Sequence, residues 1–593
     1  GYDMTGYRNR TVTTTYSGTT GTHVWKLGDI VQSTPKIKSS VPLNSYHLYA
    51  PEGYNDRTYY QYVNDVDSAG NSVGSYKARG MVFVGANDGM FHAFELGKLS
   101  FDSLPTNTAA RLETTDVPLG TERWAFVPKG ALPYLKYLTS SNYCHVFYVN
   151  QPAVVFDASI GATGNDPNGT KTRYTWKTIL IGGMGIGGAC RNAGTSCTNC
   201  VKTPISDVGY SSYFAFDITD PVNPVFLWEF SNSALGFSTT GPAIIRIGDG
   251  TKNGKWFVVF ASGPTGPINT TYHQFMGSSD QTLKFFVLDL YTGSKSSYTT
   301  IDTGIASAFG GSLAGSVIDV DRGSPASASN YSDDALYMGY TKLDSSTWTK
   351  GGIIRILTKG DTNPGNWSVS RLIDNTGPVT TALTKLQDRK NGKFWIYFGT
   401  GRYYYRLNDG LLLDDPDSQQ AFYGIEEPCY NGGTNTLSST CATTVTTGDL
   451  VAGSSSALPS AKLGWYINFP TPDTGYKAHR VLTQPVASYN GVVYFLTSSP
   501  SSDVCSLGGY TYLWAVQYDT GGPPSLAALS GMVVTQLSTG QIATPVLKTT
   551  AGGSALNLSS GRAMAIGQGI SGGGLSLLGP PKPIRRILHM KER

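Results

Sequence analysis

Four carboxylates stand at the two ends of one short stretch of the chain. Asp319-Val320-Asp321 follows an apolar run, and Asp333-Asp334 precedes the next one. Alternating Asp residues put their oxygens on one side of a turn, and several carboxylate oxygens in one loop are what a hard cation such as Ca²⁺ requires. The competing reading is a solvated polar turn in which Arg322 pairs with one of the carboxylates. A second acidic stretch, Asp65-Val66-Asp67 with Asn71, has the same composition and reads as a plain surface loop.

Other chemistry-bearing residues are less organised. The cysteines are Cys144, Cys190, Cys197, Cys200, Cys429, Cys441 and Cys505, most of them in loops rich in Gly, Asn, Ser and Thr, the usage of an exported protein. Cys429 with Cys441 would close a short local loop. Cys197 and Cys200 form a C-x-x-C, but no second pair and no nearby His would complete a zinc site, so a disulfide is the stronger reading. Val201 stands where a c-type haem site needs His, and the odd count leaves at least one Cys free or paired with another chain. His23, His47, His92, His145, His273, His479 and His589 are scattered, with no pair at metal-ligand spacing. The chain has no P-loop to organise a phosphate, and no catalytic residue is assigned. Asn87-Asp88-Gly89 reads as a hairpin turn needing positive φ, with His92 on the strand that follows.

The elements that must position these residues come from a repeat. Six hairpin-like copies begin at Val82, Thr178, Trp256, Ala335, Phe394 and Val492, each an apolar strand, five of them reaching a Gly, and partners such as Met90 to Phe94, Tyr213 to Phe216 and Phe285 to Val287 are aromatic-rich. One such hairpin cannot bury both faces alone. Seven segments built on small residues or Pro accompany them: Asp29 to Pro35, Gln151 to Val155, Gly241 to Ile245, Leu313 to Ile318, Gly377 to Ala382, Gln484 to Ala487 and Ile542 to Val546. Small leading strands suit the crowded axis of a β-propeller. The expectation is an all-β chain forming a single large modified propeller of about seven blades with loop insertions, one blade joining Asp29 to Pro35 with Ile542 to Val546. A β-sandwich or two all-β domains is the alternative. The expected divisions are 1–24 as an extension or linker, 25–570 as the propeller and 571–593 as a basic tail.

Composition agrees with that class. Gly 71, Tyr 36 and 15% charged residues describe a turn-rich aromatic β-protein. Gly130 to Leu138 is the clearest helical candidate and falls between blades. A net charge of +4 without a basic stripe argues against nucleic acid, and no apolar run is long enough to span a membrane. Gly1 is not a start residue, which leaves room for a signal peptide or an N-terminal domain upstream. The basic tail, with Lys582, Arg585, Arg586, Lys591 and Arg593, reads as solvated; Ile584 to Met590 is its candidate docking segment for a partner protein or a neighbouring chain.

An ordered series of motifs resembles the C-terminal domain of the PilC/PilY family of type IV pilus tip adhesins. It runs from Leu27-Gly28-Asp29-Ile30-Val31-Gln32-Ser33-Thr34-Pro35 through Val84-Gly85-Ala86-Asn87-Asp88-Gly89 and Trp124-Ala125-Phe126-Val127-Pro128. It continues through Tyr213 to Pro221 with Trp228-Glu229-Phe230, Tyr397 to Tyr403, Phe422 to Ile425 and Gly464-Trp465-Tyr466, and closes with Cys505 ahead of Gly508-Gly509. The resemblance implies a modified β-propeller that supports pilus extension or retraction, surface attachment and twitching motility. It also implies a pilus-tip or cell-surface location reached through the periplasm and outer membrane, with minor pilins and a host or abiotic surface as partners. It further implies a calcium loop of the D-x-D-x-D-G-x-x-D kind. Asp319, Asp321 and Asp334 match its first, second and last acids, while Arg322-Gly323-Ser324-Pro325 breaks the pattern and Ser327 to Ser332 lengthens it; Asn330 and Asp333 are the substitutes available from the insertion. The repeats and Trp-rich blades also resemble quinoprotein dehydrogenases, so a periplasmic propeller oxidoreductase is the alternative function, although a fold alone does not carry that activity.

Overall fold

The computed structural model describes residues 6–524, apart from internal segments of which the longest are 162–169, 323–330 and 403–416, together with short strands beyond residue 530. All six sequence copies are second strands, each paired antiparallel with the strands on either side of it. In chain order these strands are Gly80–Gly85, Trp176–Gly183, Gly254–Ala261, Ala335–Asp344, Lys393–Gly399 and Val492–Pro500, defining sheets one to six. In sheets two and three the strands lie in sequence order from the leading strand outward, as in Ala243–Gly248, Gly254–Ala261, Lys284–Asp289 and Thr299–Asp302 of sheet three.

The sheets stack face to face in chain order, which is why the second strands are apolar on both sides. In sheet three Trp256, Val258 and Phe260 face sheet two, where they pack with Trp176, Tyr213 and Trp228. The alternate residues Phe257 and Val259 face sheet four and meet Leu336, Met338 and Ile354. Strand alternation therefore serves two cores at once. The same sharing joins sheets one and two through Phe83, Phe91, Leu180 and Phe214, four and five through Tyr337, Ile353, Phe394 and Ile396, and five and six through Tyr397, Trp465, Phe495 and Trp514. The chain is an all-β propeller.

Small residues sit where neighbouring sheets converge. A Cβ on Gly399 would overlap the side chain of Val481, and one on Gly85 would overlap the carbonyl of Val149. Not every expected leading segment is itself a strand. Sheet one starts at Lys36–Lys38 and sheet five at Thr384–Asp388, after the segments Asp29 to Pro35 and Gly377 to Ala382. Pro35 and Pro378 have no N–H for a ladder. The backbone groups there bond elsewhere: Gln32 N–H donates to the Asn150 side chain at 3.3 Å, and the Thr380 carbonyl accepts from Ser312 N–H at 3.0 Å. The seventh leading segment, Ile542 to Val546, lies outside the described residues, and so does its expected pairing with Asp29 to Pro35.

Three tryptophans tie successive sheets together at their outer edges. Trp124 Nε1 donates to Pro221 O at 2.8 Å, Trp228 Nε1 to Leu290 O at 2.9 Å, and Trp465 Nε1 to Tyr518 O at 3.1 Å. Each acceptor follows the third strand of the next sheet.

The insertions depart from the repeat. Residues 39–79, between the first two strands of sheet one, carry the α-helix Arg57–Asn64 and pack their tyrosines into the core of sheets two and three. Asp56 caps this helix, accepting from Thr58 N–H at 2.9 Å and Tyr59 N–H at 3.2 Å. Lys129–Thr139 is helical as expected between sheets one and two, but as a 3₁₀ helix with Pro133 inside it. Residues 1–24, read as an extension, hold a hairpin of Thr11–Tyr16 with Thr19–Val24. In the tail, Ile587–His589 pairs antiparallel with Leu386–Asp388 of the same chain, so this part of the expected docking segment adds to sheet five. The tail cations Lys582, Arg585, Arg586, Lys591 and Arg593 lie outside the described residues. No described helix is long and apolar enough to cross a membrane.

Candidate metal site

The acidic pairs meet because of strand register. Val317–Ile318 pairs antiparallel with the start of Ala335–Asp344, Val317 opposite Leu336 and Ile318 opposite Ala335. The next residues outward are Asp319 and Asp334, which must therefore face each other at the end of the ladder, and Asp334 N–H donates to Ile318 O at 2.7 Å. Asp321, two residues past Asp319, returns to the same side. The outcome is that Asp319, Asp321 and Asp334 each offer one carboxylate oxygen, all within 4.8 Å of one another. Two Ca–O bonds laid end to end span roughly 4.6–5.2 Å, so the three oxygens fit around one such ion.

The surroundings are dry. Asp319 and Asp321 are buried and the intervening Val320 is fully buried. Burial pushes the carboxyl of Asp319 well above the usual range; the charge of Asp334 adds to this, and Arg322 and Arg246 oppose it. Burial likewise raises Asp334, with the charges of Asp321 and Asp333 adding to it and the Val320 N–H, which donates to its Oδ2 at 2.7 Å, opposing it. Such a cluster is costly unless protons or a cation neutralise it. Asp319 Oδ1 is buried without a hydrogen-bond partner among the described residues. An oxygen-only set with a buried, unpartnered carboxylate oxygen fits a hard divalent ion.

The remaining sequence candidates separate. Asp333 turns to Arg246, its Oδ2 accepting from the Arg246 N–H at 2.6 Å and its Oδ1 lying 3.3 Å from Nη2, so it neutralises an arginine beside the cluster. Asn330 lies outside the described residues. Arg322 is buried, and its Nε donates to the hydroxyl of Tyr54 at 3.1 Å. Sequence reasoning missed Tyr54, whose hydroxyl donates to Asp319 Oδ2 at 2.6 Å, and Arg246, whose Nη2 is 3.5 Å from the same oxygen. Neither follows from spacing; a dense run of tyrosines from Tyr46 to Tyr62 was the visible signal of a buried segment, without its destination.

Elsewhere the polar groups serve structure. Asp67 accepts from Ala69 N–H and Asn71 N–H in an exposed turn, as expected of a surface loop. Asn87-Asp88-Gly89 is a turn with φ +96° at Gly89, and His92 lies on the strand beyond it, bridging Asp88 and Glu122. Cys429 with Cys441 and Cys197 with Cys200 form disulfides. Cys190 is a buried thiol that donates to Thr265 O at 2.7 Å. Cys505 and Tyr403 lie outside the described residues.

No protein-family model matches the chain. By sequence it is similar to a type IV pilus biogenesis factor PilY1 homolog of Xylella fastidiosa, 25% identical over 461 residues, covering 74% of this chain and 29% of the relative. It is also similar to the type IV pilus biogenesis factor PilY1 of Pseudomonas aeruginosa, 23% identical over 554 residues, covering 84% of this chain and 39% of that protein. The chain thus spans well under half the length of these relatives. Its fold is similar to the crystal structure of the Pseudomonas aeruginosa PilY1 C-terminal domain, with a TM-score of 0.51 and 19% identity over 86% of this chain and 94% of that one.

Proposed function

We propose, from the premise that this chain is a PilY1-family protein, that it serves type IV pilus biogenesis as a binding propeller that carries out no turnover. The observation that carries the reading is the alignment with a named pilus biogenesis factor over 84% of the chain, accompanied by the fold of the PilY1 C-terminal domain. In this reading the protein works outside the cytoplasm, at the cell surface and pilus tip. It docks on minor pilins and meets host or abiotic surfaces as an adhesin. The two disulfides support an oxidising location.

Asp319, Asp321 and Asp334 would hold Ca²⁺, and the bound ion would supply positive charge to a cluster in which two of the three carboxylates are buried and the third is half-buried. The unpartnered Asp319 Oδ1 supports that assignment. Occupancy in turn biases pilus extension against retraction, and hence twitching. Deleting the gene in the source organism tests the reading: surface pili and twitching are lost and the unmodified gene restores both, whereas Asp334→Ala restores pili with the twitching of calcium-depleted cells. Normal piliation in the deletion strain would contradict it. Quinone-dependent dye reduction by the purified protein would contradict the non-enzymatic part.

A further inference from the structure

Residues 39–79 reach the acidic cluster from far away in sequence. Tyr54, buried in this insertion, donates its hydroxyl proton to Asp319 Oδ2 at 2.6 Å. The same hydroxyl oxygen accepts from Arg322 Nε at 3.1 Å and from Arg246 Nη2. A tyrosine hydroxyl has one proton and two lone pairs. Both lone pairs are taken by guanidinium groups, so the proton has one destination, the carboxylate. That fixes the Asp319 carboxyl by its Oδ2 and leaves Oδ1, the oxygen without a partner among the described residues, as the one available to an ion.

The insertion is rigidly tied on its other side. Asp56, two residues on, caps the helix Arg57–Asn64 and is paired with Lys171, whose Nζ also donates to the Tyr331 hydroxyl at 2.7 Å. Tyr331 stands three residues before Asp334, and its carbonyl accepts from Arg246 Nε at 2.8 Å. Tyr59 and Tyr76 donate to the buried Asp157 of sheet two at 2.7 and 2.9 Å. Polar contacts therefore link Asp319 through Tyr54 and Arg246 to the carbonyl of Tyr331, and the hydroxyl of the same residue meets Lys171 and Asp56, the cap of this helix.

We infer that Tyr54 is a positioning residue for the cation site and that the helix Arg57–Asn64 is the element that senses its occupancy. The inference rests on the calcium reading of Asp319, Asp321 and Asp334. Outer partners that orient a ligand typically govern 10- to 100-fold in metal affinity. An ion bound at Asp319 Oδ1 fixes the orientation of the carboxylate, which keeps Oδ2 aimed at the Tyr54 hydroxyl and holds Tyr54, and with it the start of the helix, more firmly.

The test uses the whole chain, stripped with chelator and titrated with CaCl₂ by calorimetry, and amide hydrogen exchange with and without the ion. The unmodified protein is expected to bind calcium and to exchange the amides of residues 57–64 more slowly when loaded. Tyr54→Phe is expected to lose about 10- to 100-fold in calcium affinity and the added protection of 57–64, while its metal-free near-UV circular dichroism matches the unmodified protein. If Tyr54→Phe does not fold, the exchange measurement on the unmodified protein decides alone. Calcium binding with unchanged exchange at 57–64, or with equal affinity in a folded Tyr54→Phe, overturns the inference and leaves the calcium site standing. No calcium binding by the unmodified protein overturns both.

Discussion

The indole N–H of Trp228 donates to the carbonyl of Leu290 at 2.9 Å, and Gly293 lies directly beneath the ring. Sheet two is thereby fastened to sheet three at the rim. Trp465, Tyr518 and Gly521 repeat the arrangement between sheets five and six, with Gly293 at φ +56° and Gly521 at φ +69°. The turns read Leu290-Tyr291-Thr292-Gly293 and Tyr518-Asp519-Thr520-Gly521. Both place Gly where a Cβ would strike the indole and where positive φ is needed.

Removing the indole should therefore cost more than an ordinary core truncation. Trp228→Ala leaves a cavity between two sheets and an unmet carbonyl, and about 3–5 kcal/mol of stability should be lost. Urea unfolding followed by circular dichroism measures it. A loss below about 1 kcal/mol would mean that the rim contact does not fasten the sheets.

Much of this architecture was legible in the sequence because it rests on period-two burial. Each apolar run ending the second strand, such as Trp256 to Ala261, needs two covered faces, and only stacked sheets supply them. The leading segments were less legible. Pro35 and Pro378 mark the approach to the axis, yet proline also prevents the ladder that would make them strands. At the candidate site, Asp319 and Asp334 could be paired from sequence because a short ladder lies between the runs that flank them. Tyr54 and Arg246 could not: their meeting with Asp319 depends on how an insertion crosses three sheets, which no local spacing encodes. The contact of Asp333 with Arg246 was hidden for the same reason, since Arg246 lies on the first strand of sheet three.

His92 sets a pH dependence. Burial lowers its pKa, but hydrogen bonds to Asp88 and Glu122 outweigh that and hold it above the ordinary value. Its two ring nitrogens lie 3.1 Å from Asp88 Oδ2 and 2.7 Å from Glu122 Oε1, so the charged ring is the one stabilised. A raised histidine pKa gives stability that is complete below the unfolded value of about 6.5 and is lost as pH rises through the folded value. The melting temperature should accordingly fall above neutral pH by an amount that His92→Gln removes. Parallel melting profiles for the two proteins from pH 6 to 9 would show that the bridge contributes nothing.

The cysteines differ in reactivity. Cys190 is buried and its thiol is pushed up to about 12 by burial, so a maleimide should label it only after unfolding. Replacing Cys429 and Cys441 by Ser opens a short loop and should cost about 3 kcal/mol. Peptide mapping without reduction checks the pairing; labelling of Cys190 in the native protein would contradict the buried placement.

The most direct test is a thermal melt of the unmodified chain with calcium and with chelator, alongside Asp319→Asn. Binding to the native state alone stabilises by about 2.7 kcal/mol at a hundredfold excess of ion over its dissociation constant. The account expects a higher melting temperature with calcium than with chelator, and no such difference in Asp319→Asn. Equal melting temperatures in the unmodified protein would mean that Arg246, Arg322 and bound protons already balance the three carboxylates, and that the cluster holds no ion.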